Sequence, residues 1–200
     1  MLQSDQYHDE QILIRRIQRG EKEAFEKLFF THYYPLCNYG AKITGCSEMA
    51  RDAVQDVFLK IWKGREQWQI RQTIKAYLFR AVRNQSVKLV EAKYRYELSS
   101  DSRMESMHNK DLESLLSETK LELHSTNLAT KVWAIAASMP DRRRQVFELH
   151  RRHGLSYQEI AEVLDITPKT VENHLARALQ ELRERLSASE PGNSSPGLKR

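Results

Sequence analysis

Apolar residues return every three or four positions through most of the chain, and residues 1–96 hold no alternating pattern, so helices are predicted throughout. Residues 9–18 place Ile12, Leu13 and Ile17 on one face and stop at Gly20. A second helix is expected from Glu21 to Lys42, with Ala24, Phe25, Leu28 and Phe29 inside and a kink or division at Pro35. Ser47 is the expected cap of a third, whose Ala50, Ala53, Val54, Val57, Phe58 and Ile61 form the cleanest apolar stripe of this half. The pattern then lapses into a polar loop at 64–72 that carries Trp68. Thr73 is placed to cap a fourth helix running to about Tyr94.

From Glu97 to Glu122 the character changes. Acidic residues outnumber basic ones for a net charge of −4, and serines intervene, which reads as a linker at 97–125 with one weak helix around Leu112 to Leu123. Beyond it, one helix passes through Trp133 and Ile135 and ends before Pro140, and another runs from Asp141 to His153 and ends at Gly154. Ser156 and Glu159 have capping-box spacing before a short helix, and Thr167 with Pro168 opens a longer one. Leu155, Ile160, Ala161, Leu164, Ile166, Val171 and Leu175 fall where a helix-turn-helix buries its inner faces. The fold class is therefore all-α: two small helical domains, 1–96 and 126–186, joined by the acidic linker, with a Ser-, Pro- and Gly-rich tail at 187–200 expected to be disordered.

Composition narrows the functions. The 200 residues are 40% hydrophobic and 30% charged, with only seven glycines and five prolines, a soluble helical composition. The longest nearly apolar run, Val132 to Met139, is far below the ~20 residues of a spanning helix, and the N-terminus lacks the pattern of a secretory signal, so a cytoplasmic location is expected. Cys37 and Cys46 form neither a CxxC nor a disulfide framework and read as reduced thiols. His150 and His153 near a helix end suit the helix dipole better than a metal. With no nucleophile motif and no phosphate loop, neither catalysis, metal nor cofactor is expected, nor a small-molecule substrate.

Charge distribution is more informative than the total. Residues 64–95 carry +6 against +5 for the entire chain. On the fourth helix Ile74, Leu78, Ala81, Val82 and Leu89 read as inward and Ala76, Arg80, Arg83, Asn84 and Val87 as outward, with Trp68, Tyr77, Tyr94 and Tyr96 nearby. Cations that follow a backbone beside rings that stack on bases suit single-stranded nucleic acid, although core aromatics with solvated arginines would explain Tyr77 and Phe79 as well. On the last helix Val171, Leu175, Ala178, Leu179, Leu182 and Leu186 make the buried stripe, turning Lys169, Glu172, Asn173, Ala176 and Gln180 outward with Arg177 at the edge. Those side chains have the donors, acceptors and methyl that read a major groove. An ordinary solvated face could look the same, but the capped helix-turn-helix around it favours DNA. Arg142, Arg143, Arg144, Arg151 and Arg152 add phosphate or protein contacts, or simply solubility. On the third helix Asp52, Gln55, Asp56, Leu59 and Lys63 share an outer face where an exposed leucine among carboxylates suits protein docking.

Three stretches resemble a bacterial RNA polymerase sigma factor of the small, two-domain extracytoplasmic-function class. RDAVQDVFLKIWK is similar to the family helix that docks on the polymerase clamp, AYLFRAVRNQSVKLV to the segment that melts and reads the minus-ten element, and LSYQEIAEVLDITPKTVENHLARALQELR to the unit that reads the minus-thirty-five element. The resemblance implies promoter recognition and strand opening by a dissociable polymerase subunit, with core RNA polymerase and promoter DNA as partners. It assigns Asp52, Gln55, Asp56 and Leu59 to the polymerase, and Trp68, Arg80, Arg83 and Asn84 to the minus-ten strand. Lys169, Thr170, Glu172, Asn173 and Arg177 match the upstream-element readers. Glu172 is acidic where many relatives are basic, so their upstream sequence does not transfer. The KTVENHL form resembles the subgroup held by a membrane-anchored anti-sigma factor. The competing reading is a free-standing regulator of the response-regulator type, whose effector domains share TVENHL-like endings; a helical adaptor binding only proteins conflicts with the +6 at 64–95.

Overall fold

The computed structural model describes residues 2–70, 72–99 and 127–188. Four helices, α1 (Leu2–Gln18), α2 (Lys22–Thr44), α3 (Ser47–Lys63) and α4 (Ile74–Ser99), build one compact unit. Another contains α5 (Asn127–Ala137), α6 (Asp141–Arg151) and α8 (Pro168–Ala188), with the short α7 (Tyr157–Leu164) ahead of α8 in the chain. Among the described residues there is no strand, and no helix is long and apolar enough to cross a membrane. The linker and tail expectations, including the weak helix at 112–123, lie outside the described residues apart from their helical edges.

In the first unit α2 packs against both α3 and α4, which also pack on each other. The three meet at small residues: a Cβ added at Gly40 would stand 3.2 Å from the Cβ of Ala50 and 3.4 Å from the Oγ of Ser86. This close approach explains why α2 remains one helix through Pro35, against the expected kink or division. The proline removes one hydrogen bond at a cost of ~3 kcal/mol. Breaking the helix there would pull Leu36, Cys37, Tyr39 and Ala41 from the core, each worth roughly 1–3 kcal/mol according to size, so packing prevails.

Other local expectations shift by a residue or a face. The cap of α3 is Cys46 rather than Ser47, which instead enters the helix buried, with its hydroxyl unpartnered. The third-helix stripe is buried at every predicted position. On α1 the buried residues are Ile14 and Ile17, while Ile12 is exposed, because the helix rolls toward α2 by one position. Its end is a Schellman closure: Gly20 at φ 82° donates to Ile17 (2.9 Å) and Glu21 to Arg16 (3.2 Å).

Tertiary ties fix the loop between α3 and α4. Gln18 Nε2 donates to the Trp68 carbonyl (3.0 Å), and the Ile74 amide at the head of α4 donates to the Glu10 carboxylate (2.8 Å). Thr73 caps α4 as expected, accepting from the Ala76 amide at 3.2 Å.

In the second unit α8 packs along α6 and α5. Its core includes Val146, Phe147, Leu149, Leu155, Val171, Leu175 and Ala178. Both sequence caps form: Glu159 accepts from the Ser156 amide (2.8 Å), and Thr167 Oγ1 accepts from the Thr170 amide (3.1 Å). Of the seven positions assigned to the inner faces, only Ile166 is not buried. Leu179 departs from the predicted stripe and is 40% exposed.

Candidate nucleic-acid interface

The helix-turn-helix presents a polar outward face because its turn is tight. Asp165 adopts φ 55° between α7 and α8, a left-handed conformation that aspartate tolerates better than most residues. Capped by Thr167, α8 then begins at Pro168 and turns Lys169, Glu172, Asn173, Ala176, Arg177 and Gln180 to solvent. Lys169 Nζ holds the Glu172 carboxylate at 2.8 Å. Such an exposed pair contributes only ~0.5 kcal/mol and opens readily to a base edge. Thr170 is half-buried, its hydroxyl 2.9 Å from that of Thr167, so it serves the cap. The amide of Asn173 and the guanidinium of Arg177 have no partner among the described residues.

Beside this face lies a basic cluster. His174 is held below its ordinary pKa by burial first and then by the positive charges of Arg143, Arg177 and Arg142. Arg143 is committed to Glu181 at 2.6 Å, with Arg185 on the other carboxylate oxygen. Arg142 and Arg177 remain exposed and available to an anion. From sequence Arg142 was one arginine among five; its joint action with Arg177 on His174 required the fold.

In the first unit α4 carries the second face. Arg80 and Asn84 are exposed and Arg83 half-buried, and none has its polar end engaged by another described residue. Ala76, expected outside, is buried because the start of α4 is drawn toward the rest of the unit, while Ala81 is only half-buried. Trp68 is the main correction. Its ring is 6% exposed and meets Tyr77 edge-on at 5.9 Å, so it is a buried support of the loop and not an open stacking surface. Loop polarity misled here: the ties from α1 fold the ring inward.

A third face lies on α3. Asp52 and Gln55 are exposed, and Leu59 is 49% exposed among them, as its off-stripe position predicted. Asp56 is half-buried and accepts from Gln85 Nε2 at 2.8 Å, while Lys60 donates to the same amide's oxygen, so Asp56 ties α3 to α4. Sequence reading missed the neighbouring aromatics on α2. Phe30 and Tyr34 are 70% and 72% exposed, and their ring neighbours Phe29 and Tyr33 lean on Phe58 and bond Gln55 respectively. Two aromatics four apart, off the buried stripe of α2, were the available signal.

Among the described residues no cluster of three or more metal-ligating side chains forms on any of the three faces. His150 Nδ1–H donates to the Leu155 carbonyl, 2.9 Å away, which ties the end of α6 to the following turn.

Comparison with known proteins matches residues 28–96 to Sigma-70 region 2 and residues 130–182 to Sigma-70 region 4, together more than half of the chain. Curated relatives include the ECF RNA polymerase sigma-E factors of Haemophilus influenzae, 24% identical over 180 residues, and of Escherichia coli K12, 26% identical over 180. These alignments cover 88% of this chain and 95% and 92% of the respective relatives. Among solved structures, CnrH in complex with the cytosolic domain of CnrY shares the fold at TM-score 0.59 and 21% identity, covering 90% of this chain and 99% of that one. The sigma factor RpoE, in complex with the anti-sigma factor NepR from Bartonella quintana, does so at 0.57 and 21%, covering 83% and 98%.

Proposed function

The chain belongs to the sigma-70 family as an RNA polymerase sigma factor of the extracytoplasmic-function class, and from that premise we propose how its residues divide the work of initiation. A sigma factor directs RNA polymerase to promoters and helps open the DNA. Residues 1–96 are the region-2 domain, which docks on polymerase and handles the minus-ten strand; residues 126–186 are the region-4 domain, which reads the minus-thirty-five element.

Asp52, Gln55 and Leu59 meet the polymerase, joined by Phe30 and Tyr34 from α2, with Asp56 positioning α3 against α4 through Gln85. Arg80 and Arg83 follow the non-template backbone while Asn84 presents an amide to an extruded base. Trp68 holds the loop that leads into α4. Glu172 and Asn173 read base edges in the major groove, Lys169 releasing Glu172 to contact phosphate, and Arg177 and Arg142 hold the flanking backbone. Thr170 acts through the cap of α8. The protein works in the cytoplasm without catalysis or cofactor of its own and is restrained by an anti-sigma factor, a partner of the kind seen with the similar RpoE in its complex with NepR.

The observation that carries this reading is a pair of faces, one on α4 with Arg80, Arg83 and Asn84 and one on α8 with Asn173 and Arg177, whose arginine and asparagine side chains form no hydrogen bond or ion pair with described residues. Phosphate attraction supplies affinity on each, and the amides supply selectivity. Adding the purified protein to sigma-free core polymerase should yield promoter-specific transcription. The double variant Asp52→Ala with Leu59→Ala should lose core binding with helicity and thermal midpoint preserved, and full association of that variant would refute the docking assignment.

A further inference from the structure

Helix α4 outruns the core it packs on. Ser86 is buried, Val87, Leu89 and Val90 are half-buried, and every residue from Glu91 to Tyr96 is exposed, so about 9 Å of helix continues without core packing. Core formation does not account for what this stretch carries. The Tyr94 and Tyr96 rings stand 63% and 72% exposed, and Lys88, Lys93 and Arg95 outnumber Glu91. Steps of 100° bring Lys88 and Arg95 to within about 40° of Asn84 around the helix, and Tyr94 to within about 40° of Arg80. Lys88 makes no hydrogen bond or ion pair with a described residue, and Arg95 donates only from Nε, to the Glu91 carbonyl one turn back at 3.3 Å. The face that carries Arg80, Arg83 and Asn84 therefore keeps its direction and its charge beyond the end of the core.

We propose that Lys88, Tyr94 and Arg95 make a second contact on promoter DNA, holding its sugar-phosphate backbone at a fixed distance from the base that Asn84 receives. The proposal rests on the assignment of α4 to the minus-ten strand. From Asn84 to Arg95 the helix rises about 16 Å, and successive phosphates of one strand advance about 3.4 Å, so the two contacts stand about five nucleotides apart. Both cations neutralise phosphate without reading sequence, and the Tyr94 hydroxyl donates to a phosphate oxygen. Glu91 lies in the same stripe, where its carboxylate opposes the phosphates and weakens the grip.

Holoenzyme binding to a promoter it has selected tests this, with the salt dependence recorded and with neutral methylphosphonate linkages placed three to seven nucleotides to either side of the extruded base. Lys88→Ala with Arg95→Ala should weaken binding about tenfold and flatten the log–log salt slope by about 2. Neutral linkages on one of the two sides should weaken the unmodified protein by a similar factor and the double variant hardly at all. Glu91→Gln should tighten binding about threefold, whereas Lys93→Ala, across the helix from Arg95, should leave the effect of the neutral linkages intact. If the double variant misfolds, Glu91→Gln and the neutral linkages still decide. An unchanged salt slope in the folded double variant, equal losses from neutral linkages in both proteins, or Lys93→Ala cancelling their effect would overturn the proposal. Arg80→Ala with Arg83→Ala tests the underlying assignment by itself: an unchanged salt slope there removes α4 from the DNA, while a loss there with none at Lys88 and Arg95 removes only the second contact.

Discussion

Acid should loosen the first unit through one imidazole. His32 lies half-buried on α2, and burial, helped by the Lys75 ammonium on α4, pushes its pKa from 6.5 down to about 4. The folded protein keeps this ring neutral in a range where the unfolded chain takes up a proton. Stability contributed by the neutral ring is complete above about pH 6.5, falls as pH drops through the window, and is exhausted near pH 4. Those two values give about 2 kcal/mol lost between pH 7 and pH 5, which solvent screening at a partly open side chain trims to about 1–2 kcal/mol. For a unit of this size that is a fall of roughly 5–15 °C in midpoint. In a Trp133→Phe background the remaining tryptophans, Trp62 and Trp68, both lie in the first unit, so their fluorescence during urea unfolding reports that unit alone. The slope with pH should be steep in this protein and shallow in its His32→Gln derivative. Equal losses in both proteins would refute the reasoning.

Asn84→Ala should lose open-complex formation on duplex promoters and recover on a template already mismatched at the minus-ten region, because its contact is gained only once a base leaves the duplex. Trp68→Ala should behave differently: truncating a buried indole should cost ~3–5 kcal/mol of first-unit stability, read by denaturation, and a mismatched template should not restore it. Glu172→Ala or Asn173→Ala should change preference at one or two upstream positions by ~1–3 kcal/mol each in a promoter-library selection, with minus-ten preference unchanged. Ser86→Ala should stabilise the first unit by ~1 kcal/mol in the same urea assay, since its hydroxyl is fully buried without a partner.

The elements and the outward face of α8 were legible from residue spacing because they depend on local physics. Helical period, the Ser156–Glu159 box and the Thr167–Pro168 start act within one turn, and the outward turn of Glu172 and Asn173 follows from Val171 and Leu175 facing in. Leu59 was legible for the same reason, as an apolar residue off a strict stripe. What only the tertiary structure decided were the outcomes of competition between segments far apart in sequence. Pro35 stays within one helix because α3 and α4 grip the residues that follow it, and Trp68 turns inward because α1 holds both ends of its loop. Asp56 became a tie to Gln85, Leu179 opened a groove beside Trp133, and Arg142 joined Arg177 in lowering the His174 pKa, each through a neighbour at least 29 residues away in sequence. A helical period specifies which direction a side chain takes from its own axis, but burial and pairing depend on what the rest of the chain brings to meet it.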